Sequence, residues 1–584
     1  MPLNPLLAQV TRLALALLCS FWVACSPPPP RGAIATAPAA TYVRSTPIPG
    51  IRPGAPTPTA LTYATAPATN ATWSTEGELR LALRENINTL NPYLATTVSE
   101  LFVTSLLYDT LAEDDLQGGL MPNLAQRWEL SANGTKLTCW LNPQARWHNG
   151  QPVTADDVVL TFDLIRQTAF PGLARLAALV AQAEALGPTE VQFTLLRPGA
   201  ETARQVCSQV RIVPAALWVS VPDPLTYANL ESPIGSGPFA LLDYTVEGGL
   251  VLRNTGMHHS TRPSIDRLVV EIIRDESKAL QALREGGFDL LGWDITRAMA
   301  RDVQDHPESY LEIQLAATAG MSVHSLWFNL RYSPYDNPAL RSALAQAINT
   351  QNIVDQVLLG FAEPGRTSLF PPASLWHAGS IPVVAFDLQQ ATETLTLAGF
   401  VDRDGDGLRE NPDGSALQIL ITYPKGEVAS RVVDGVVASW KAAGIKARPS
   451  AVPAEQVRSL LMQASFEVVL YDLSLREPEE AFFYLHSSRG SLVEGGLVSG
   501  YNYGGYASVD ADRVVEMILE EQDQGKRLEL LQELQDILAA DLPQIPLYSP
   551  YILHLYSESR FTGWRSEPGA GLLSRTAIAY LSAR

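Results

Sequence analysis

The chain has 584 residues, too many for one ordinary hydrophobic core, so two or three domains are expected. Hydrophobic residues make up 46% and charged residues 18%, a globular composition. Asp and Glu outnumber Lys and Arg by 61 to 42, a formal net charge of −19, and no basic run interrupts the acidic background. A phosphate backbone would be repelled, which argues against nucleic acid as a partner.

In chain order, Arg12 precedes the apolar run Leu13 to Val23. That run is shorter than the roughly 20 residues that span a bilayer. A basic residue, a short apolar core and a small residue before a cut describe an export signal. Trp22-Val23-Ala24-Cys25-Ser26 resembles a bacterial lipobox, with Trp22 where that pattern prefers Leu. The resemblance implies that residues 1–25 are a lipoprotein signal and that Cys25 is lipidated. An ordinary secreted protein or an uncleaved anchor is the alternative. Residues 26–75, opening on Pro27 to Pro30, are rich in Pro, Ala and Thr and bury too little apolar area to fold. They read as a tether, which has a use when its start is anchored.

The folded part begins near Glu78. Leu79, Leu81 and Leu83 alternate as in a strand, Leu90-Asn91-Pro92-Tyr93 marks a turn, and an apolar helix is expected from Ser99 to Leu111. Asn133-Gly134 separates Trp128 to Leu130 from Lys136 to Leu141 in a hairpin pattern. Thr154 and Asp157 form a capping box for a helix over Ala155 to Gln167. Farther on, Leu268 to Ile273 and Phe288 to Leu291 read as strands flanking a Lys278 to Arg284 helix. Asn337 caps a helix running to about Asn349, and Asp387 caps one that stops at Gly399. Residues 416–422 and 466–473 read as buried strands, and Val514, Val515, Ile518 and Leu519 as a helical stripe. The mixture predicts an α/β protein with a partly parallel sheet. Of the folded cysteines, Cys139 and Cys207 either pair or remain two buried thiols; no Cys-x-x-Cys occurs.

Several segments together resemble the extracellular solute-binding proteins of the peptide and nickel import family. They are Leu90 to Tyr93, Met121 to Trp128, Trp147 to Val158, Ile234 to Phe239, Asp387 to Phe400, and Asn502 with Gly505-Tyr506, in the family's order over about residues 78–564. The resemblance implies a two-lobed periplasmic-binding-protein-like α/β fold of type II with an extra domain in the N-terminal half. Lobe I is expected over 76–115, 233–325 and 546–584, the extra domain over 116–232, and lobe II over 326–545. Hinge crossings are expected near Trp327 to Asn329 and Ile545 to Tyr548. The family's role implies capture of an oligopeptide-like or other medium-sized solute outside the cell for the permease subunits of an ABC importer. A surface receptor that senses its ligand with the same clamp is the alternative. A monomer held at the cell membrane or in the periplasm is expected, with no cofactor required.

In peptide-binding members an Asp sits just before a Glu-Pro or Asp-Pro pair and holds the peptide amine. Aligning on Glu477-Pro478 places Ser474 there, with Asp472 two residues earlier. An uncharged Ser loses a charge-assisted hydrogen bond, so Asp472 becomes the candidate anchor. Tyr93 and Tyr471 are candidate cleft aromatics. Asp402, Asp404 and Asp406, with Asp413 at the twelfth position, resemble a calcium loop; a solvated turn rich in Asp and Gly is the other reading. His258 and His259 would point apart on a strand, which disfavours a nickel site. Gly235 to Ala240 imitates a dinucleotide fingerprint, but a strand follows where that motif needs a helix. No hydrolase or phosphate-loop motif occurs, so no enzymatic activity is expected.

Overall fold

The computed structural model describes residues 77–584 except 116–118, 171, 246–248, 261, 367, 369, 378–382, 474, 476, 494 and 522. The export segment with Cys25, the 26–75 tether and Ser474 lie outside the described residues. Among the described residues, no helix is long and apolar enough to cross a membrane.

The strands of the first half are β1 (Glu78–Leu83), β2 (Ala112–Asp114), β3 (Leu120–Pro122), β4 (Ala125–Leu130), β5 (Lys136–Leu141), β6 (Val180–Gly187), β7 (Glu190–Leu195), β8 (Phe239–Tyr244), β9 (Leu250–Asn254), β10 (Arg267–Ile272) and β11 (Leu290–Leu291). Those of the second half are β12 (Ile313–Ala319), β13 (Val323–Phe328), β14 (Ala362–Pro364), β15 (Gln418–Pro424), β16 (Lys446–Val452), β17 (Val468–Leu473) and β18 (Gln544–Ser557). A main sheet of 12 strands runs β16-β15-β17-β13-β18-β11-β1-β10-β9-β8, with β12 and β14 also paired to β18. β1 lies parallel to β10 and β11, and β15 lies parallel to β16 and β17. The 14-residue β18 is common to both halves. Its first part pairs with β13, and its second part with β12 and β11. The extra domain carries its own four-stranded sheet, β4-β5-β7-β6.

Five of the six residues of β1 are buried, more than the alternation of leucines suggests, because parallel neighbours on both sides and cover on both faces leave no wet face. Thr97 and Glu100 form a capping box for the Val98–Leu107 helix, which ends four residues before the expected Leu111 because Tyr108 turns extended. The Ala155–Gln167 helix starts at the expected Thr154–Asp157 box. The helix capped by Asn337 stops at Gln346, and Asn349 caps a second one, Thr350–Gln356. The Asp387-capped helix closes before Gly399, which takes φ +88°. In lobe II, Val432, Val433, Val436 and Trp440 of the Glu427–Ala442 helix pack with Ile419, Ile421 and Val468 of the sheet.

Candidate functional site

The site is built where the chain passes between lobes. β12 belongs to the lobe I ladder and β13 to that of lobe II, so the first crossing falls at about Gly320 to His324. This is earlier than the expected Trp327 to Asn329. Trp327 and Phe328 are buried in two lobe II cores, where hinge motion has no room. Ile545, Leu547 and Tyr548 likewise pack in lobe II, and β18 crosses just after them, between Tyr548 and Tyr551. Gly365 donates its N–H to the Leu547 carbonyl at 2.9 Å, and a Cβ there would meet the Pro546 oxygen at 2.2 Å. Only glycine lets these backbones approach so closely.

His324 and Tyr548 stack at the crossing, with ring centroids 4.5 Å apart and planes 8° from parallel. Burial lowers the His324 pKa; the Asp472 carboxylate opposes this and Arg297 reinforces it. Arg297 is held by Asp294 at 2.8 Å and by the Tyr551 carbonyl at 2.9 Å. The carboxyl ends of the parallel strands of lobe I open beside this cluster. Arg84 and Glu85 after β1, Arg274 after β10, and Gly292, Trp293 and Asp294 after β11 line a cavity of about 660 Å³. Crevices at the carboxyl ends of parallel strands are where open α/β sheets take their ligands. The Arg84 guanidinium lies 5.7 Å from the Trp293 ring centre.

On the lobe II side of the crossing runs β17, paired to β13. Asp472 is exposed, faces His324 in the β13–β17 ladder, and has no hydrogen bond among the described residues. Tyr471 beside it is half-buried; burial and the Asp472 charge raise its pKa. Tyr484 stacks on Tyr501 at 5.2 Å, and Tyr501 meets Tyr503 at 6.1 Å. Burial, with smaller contributions from Tyr471 and Tyr501, raises the Tyr484 and Tyr503 pKa values; Tyr503 is pushed up to about 12. This tyrosine cluster escaped sequence reasoning, because its members are scattered over 33 positions and only the fold gathers them. A second cavity of about 420 Å³ lies between the extra domain and lobe II, with Arg175 and Arg197 on one side and Glu479, Phe483, Tyr484 and Tyr501 on the other.

Tyr93 stands apart from these walls. It is 4% exposed, packs against Phe170 and Trp218, and donates its hydroxyl to the Arg211 carbonyl at 2.8 Å. It is a core residue, not a cleft aromatic, because the turn at Asn91-Pro92 directs it inward. Asp413 does not converge with Asp402, Asp404 and Asp406; Glu410 does, with carboxylate oxygens of all four within 4.8 Å. Asp413 instead accepts from the Ser415 N–H and hydroxyl. The three aspartates accept backbone N–H groups of their own exposed loop, at Gly405, Asp406, Gly407 and Leu408.

His258 and His259 do not diverge, because neither lies in a strand; their rings are 4.3 Å apart and turn toward Asp109. Arg575 already supplies a cation there, 2.6 Å from Asp109. Burial alone would raise the Asp109 pKa, but Arg575 and His258 hold it well below the carboxylate range. Cys139 and Cys207 are two buried, unbonded thiols whose sulfurs lie 3.9 Å apart.

Two α/β lobes share strand β18, and a charged and aromatic cavity opens at the carboxyl ends of the parallel strands of lobe I. The sequence matches the family of bacterial extracellular solute-binding proteins, family 5, over residues 119–491, and the chain belongs to that family. It is 25% identical over 505 residues to the peptide transport periplasmic protein SapA of Salmonella typhimurium, covering 80% of this chain and 86% of that one. It is 23% identical over 484 residues to the dipeptide-binding protein of Escherichia coli, covering 78% and 86%. Among solved structures, HbpA2 from Haemophilus parasuis superimposes with a TM-score of 0.74 at 20% identity, over 87% of this chain and 100% of that one. The oligopeptide-binding protein AppA of Bacillus subtilis, solved with a nonapeptide, gives 0.66 at 20% identity, over 87% and 99%. These structural likenesses establish the two-lobed fold.

Proposed function

We propose that this protein captures an oligopeptide-like or other medium-sized solute between its lobes and hands it to the permease subunits of an ABC importer. The observation that carries the reading is the 660 Å³ cavity at the carboxyl ends of β1, β10 and β11, on the lobe I side of the crossing marked by the His324–Tyr548 stack. The relatives named for peptide transport and dipeptide binding support the same class of cargo. Asp472 anchors the cationic end of the solute, and Tyr471 packs beside it. Closure follows from the solute's preference for the shut state. The lobe boundaries at 115, 232, 325 and 545 and the lipid anchor at Cys25 belong to this proposal, as does action as a monomer at the membrane surface without catalysis.

Native mass spectrometry of the purified protein, followed by calorimetry with the solute it carries, tests the reading. Asp472→Asn should weaken that solute at least about tenfold, the worth of one charge-assisted hydrogen bond, with little change in melting temperature. Unchanged affinity removes Asp472 as the anchor. Cys25→Ser should move the protein from the membrane to the soluble fraction; retention at the membrane refutes the lipid anchor.

A further inference from the structure

The contact between the extra domain and lobe II carries an unbalanced charge. Glu201 stands on the Ala200–Ser208 helix of the extra domain, and Glu477 and Glu479 follow β17 in lobe II. One carboxylate oxygen from each lies within 4.8 Å of the other two. Arg204 binds Glu201 at 2.7 Å, Glu477 at 2.5 Å and Asp114 at 2.6 Å, while Arg527 binds Glu479 at 2.9 Å. Four carboxylates therefore share two guanidinium groups; the more distant charge of Arg197 reaches Glu479 from the cavity wall.

A second observation is independent of this count. Among the described residues, Oε2 of Glu477 and Oε2 of Glu479 are both buried and have no hydrogen-bond partner, and the Glu479 side chain is only 8% exposed. A buried carboxylate oxygen that accepts no hydrogen bond is costly, and native structures rarely leave one. The cluster is also reachable. Glu479 lines the 420 Å³ cavity, and Glu201 lines another of about 220 Å³ together with Trp128, Trp376, Arg204 and Arg527.

We propose that Glu201, Glu477 and Glu479 bind a hard divalent cation of the calcium class, which clasps the extra domain to lobe II. An all-carboxylate donor set with water access suits such an ion and offers nothing to softer metals. The ion fills the two orphaned oxygens and offsets the surplus charge that the arginines leave. Because its ligands come from two domains, it favours the arrangement that brings them together, and anything else that favours that arrangement tightens the ion in return.

Terbium serves as the probe for the full chain, excited through tryptophan, since Trp128 and Trp376 line the adjoining cavity. We expect a sensitised site that calcium displaces, that weakens at least about tenfold in Glu477→Gln or Glu479→Gln, and that survives Asp404→Asn in the exposed loop. If a buried variant fails to fold, Glu201→Gln, at the edge of the cluster, should show the same loss. A sensitised site that survives all three Glu variants and vanishes in Asp404→Asn overturns the proposal. So does the lack of any terbium or calcium binding to the full chain.

Discussion

Asn502 shows how much one side chain can hold. It is 2% exposed, and its amide donates to the carbonyls of Leu485, His486 and Tyr506 while its oxygen accepts the Tyr506 N–H. Asn502→Ala leaves several buried groups unsatisfied and should cost about 2–3 kcal/mol, read from the urea midpoint. Trp440 is fully buried and donates its indole N–H to the Leu344 carbonyl at 3.0 Å. Trp440→Ala should cost about 3–5 kcal/mol by opening a cavity in lobe II. At this scale the sequence was only partly legible. β17 was recognisable as a strand leading to Glu477-Pro478, which is what put Asp472 and Tyr471 forward as candidates. Tyr93 misled, because an aromatic after Asn-Pro has no mark that separates a core ring from a cleft ring. Glu410 was missed because a twelve-residue spacing rule pointed past it to Asp413.

Elements were read better than contacts. The Ala155–Gln167 helix kept its bounds because the capping box is a local device: Asp157 accepts from the Thr154 N–H at 2.8 Å. Asp157 also accepts from Trp147 Nε1 and from the Ala215 N–H, tying three segments of the extra domain together. Asp157→Ala should therefore cost more than the roughly 1 kcal/mol of a lost cap, whereas Thr154→Ala should cost about that amount; paired thermal melts separate the two. The helix ends at Leu107 and Gln346 were overrun, because apolar periodicity continues past the point where tertiary packing turns the chain. The hinge was misplaced by a few residues for a related reason. A strand that serves two sheets shows no break in its sequence, and the crossing appears only in the pairing register.

For the whole molecule, buried histidines set the response to acid. Burial pushes His148, His259 and His554 each down to about 4. In the unfolded chain they protonate near pH 6.5, so between about 6.5 and 4 the unfolded state holds more protons. Their contribution is complete above pH 6.5 and is lost as pH falls toward 4. Melting temperature measured by fluorimetry should decline across that window, and a flat profile would count against these environments. Glu477 acts in the opposite sense at higher pH, since its raised carboxyl is easier to ionise after unfolding. The division into two lobes and an extra domain was legible from the ordered motifs together, whereas the carboxylate cluster between Glu201 and Glu477 was not, because 276 positions separate residues that the fold makes neighbours.

The shared strand β18 also dictates the order in which the molecule can be completed. β12, β13 and β11 all lean on residues 544–557, which are made long after any of them. Until that stretch leaves the ribosome, the centre of the main sheet presents unpaired edges, the kind of surface on which nascent chains stick to one another. A chain truncated at residue 540 would have neither lobe's sheet complete.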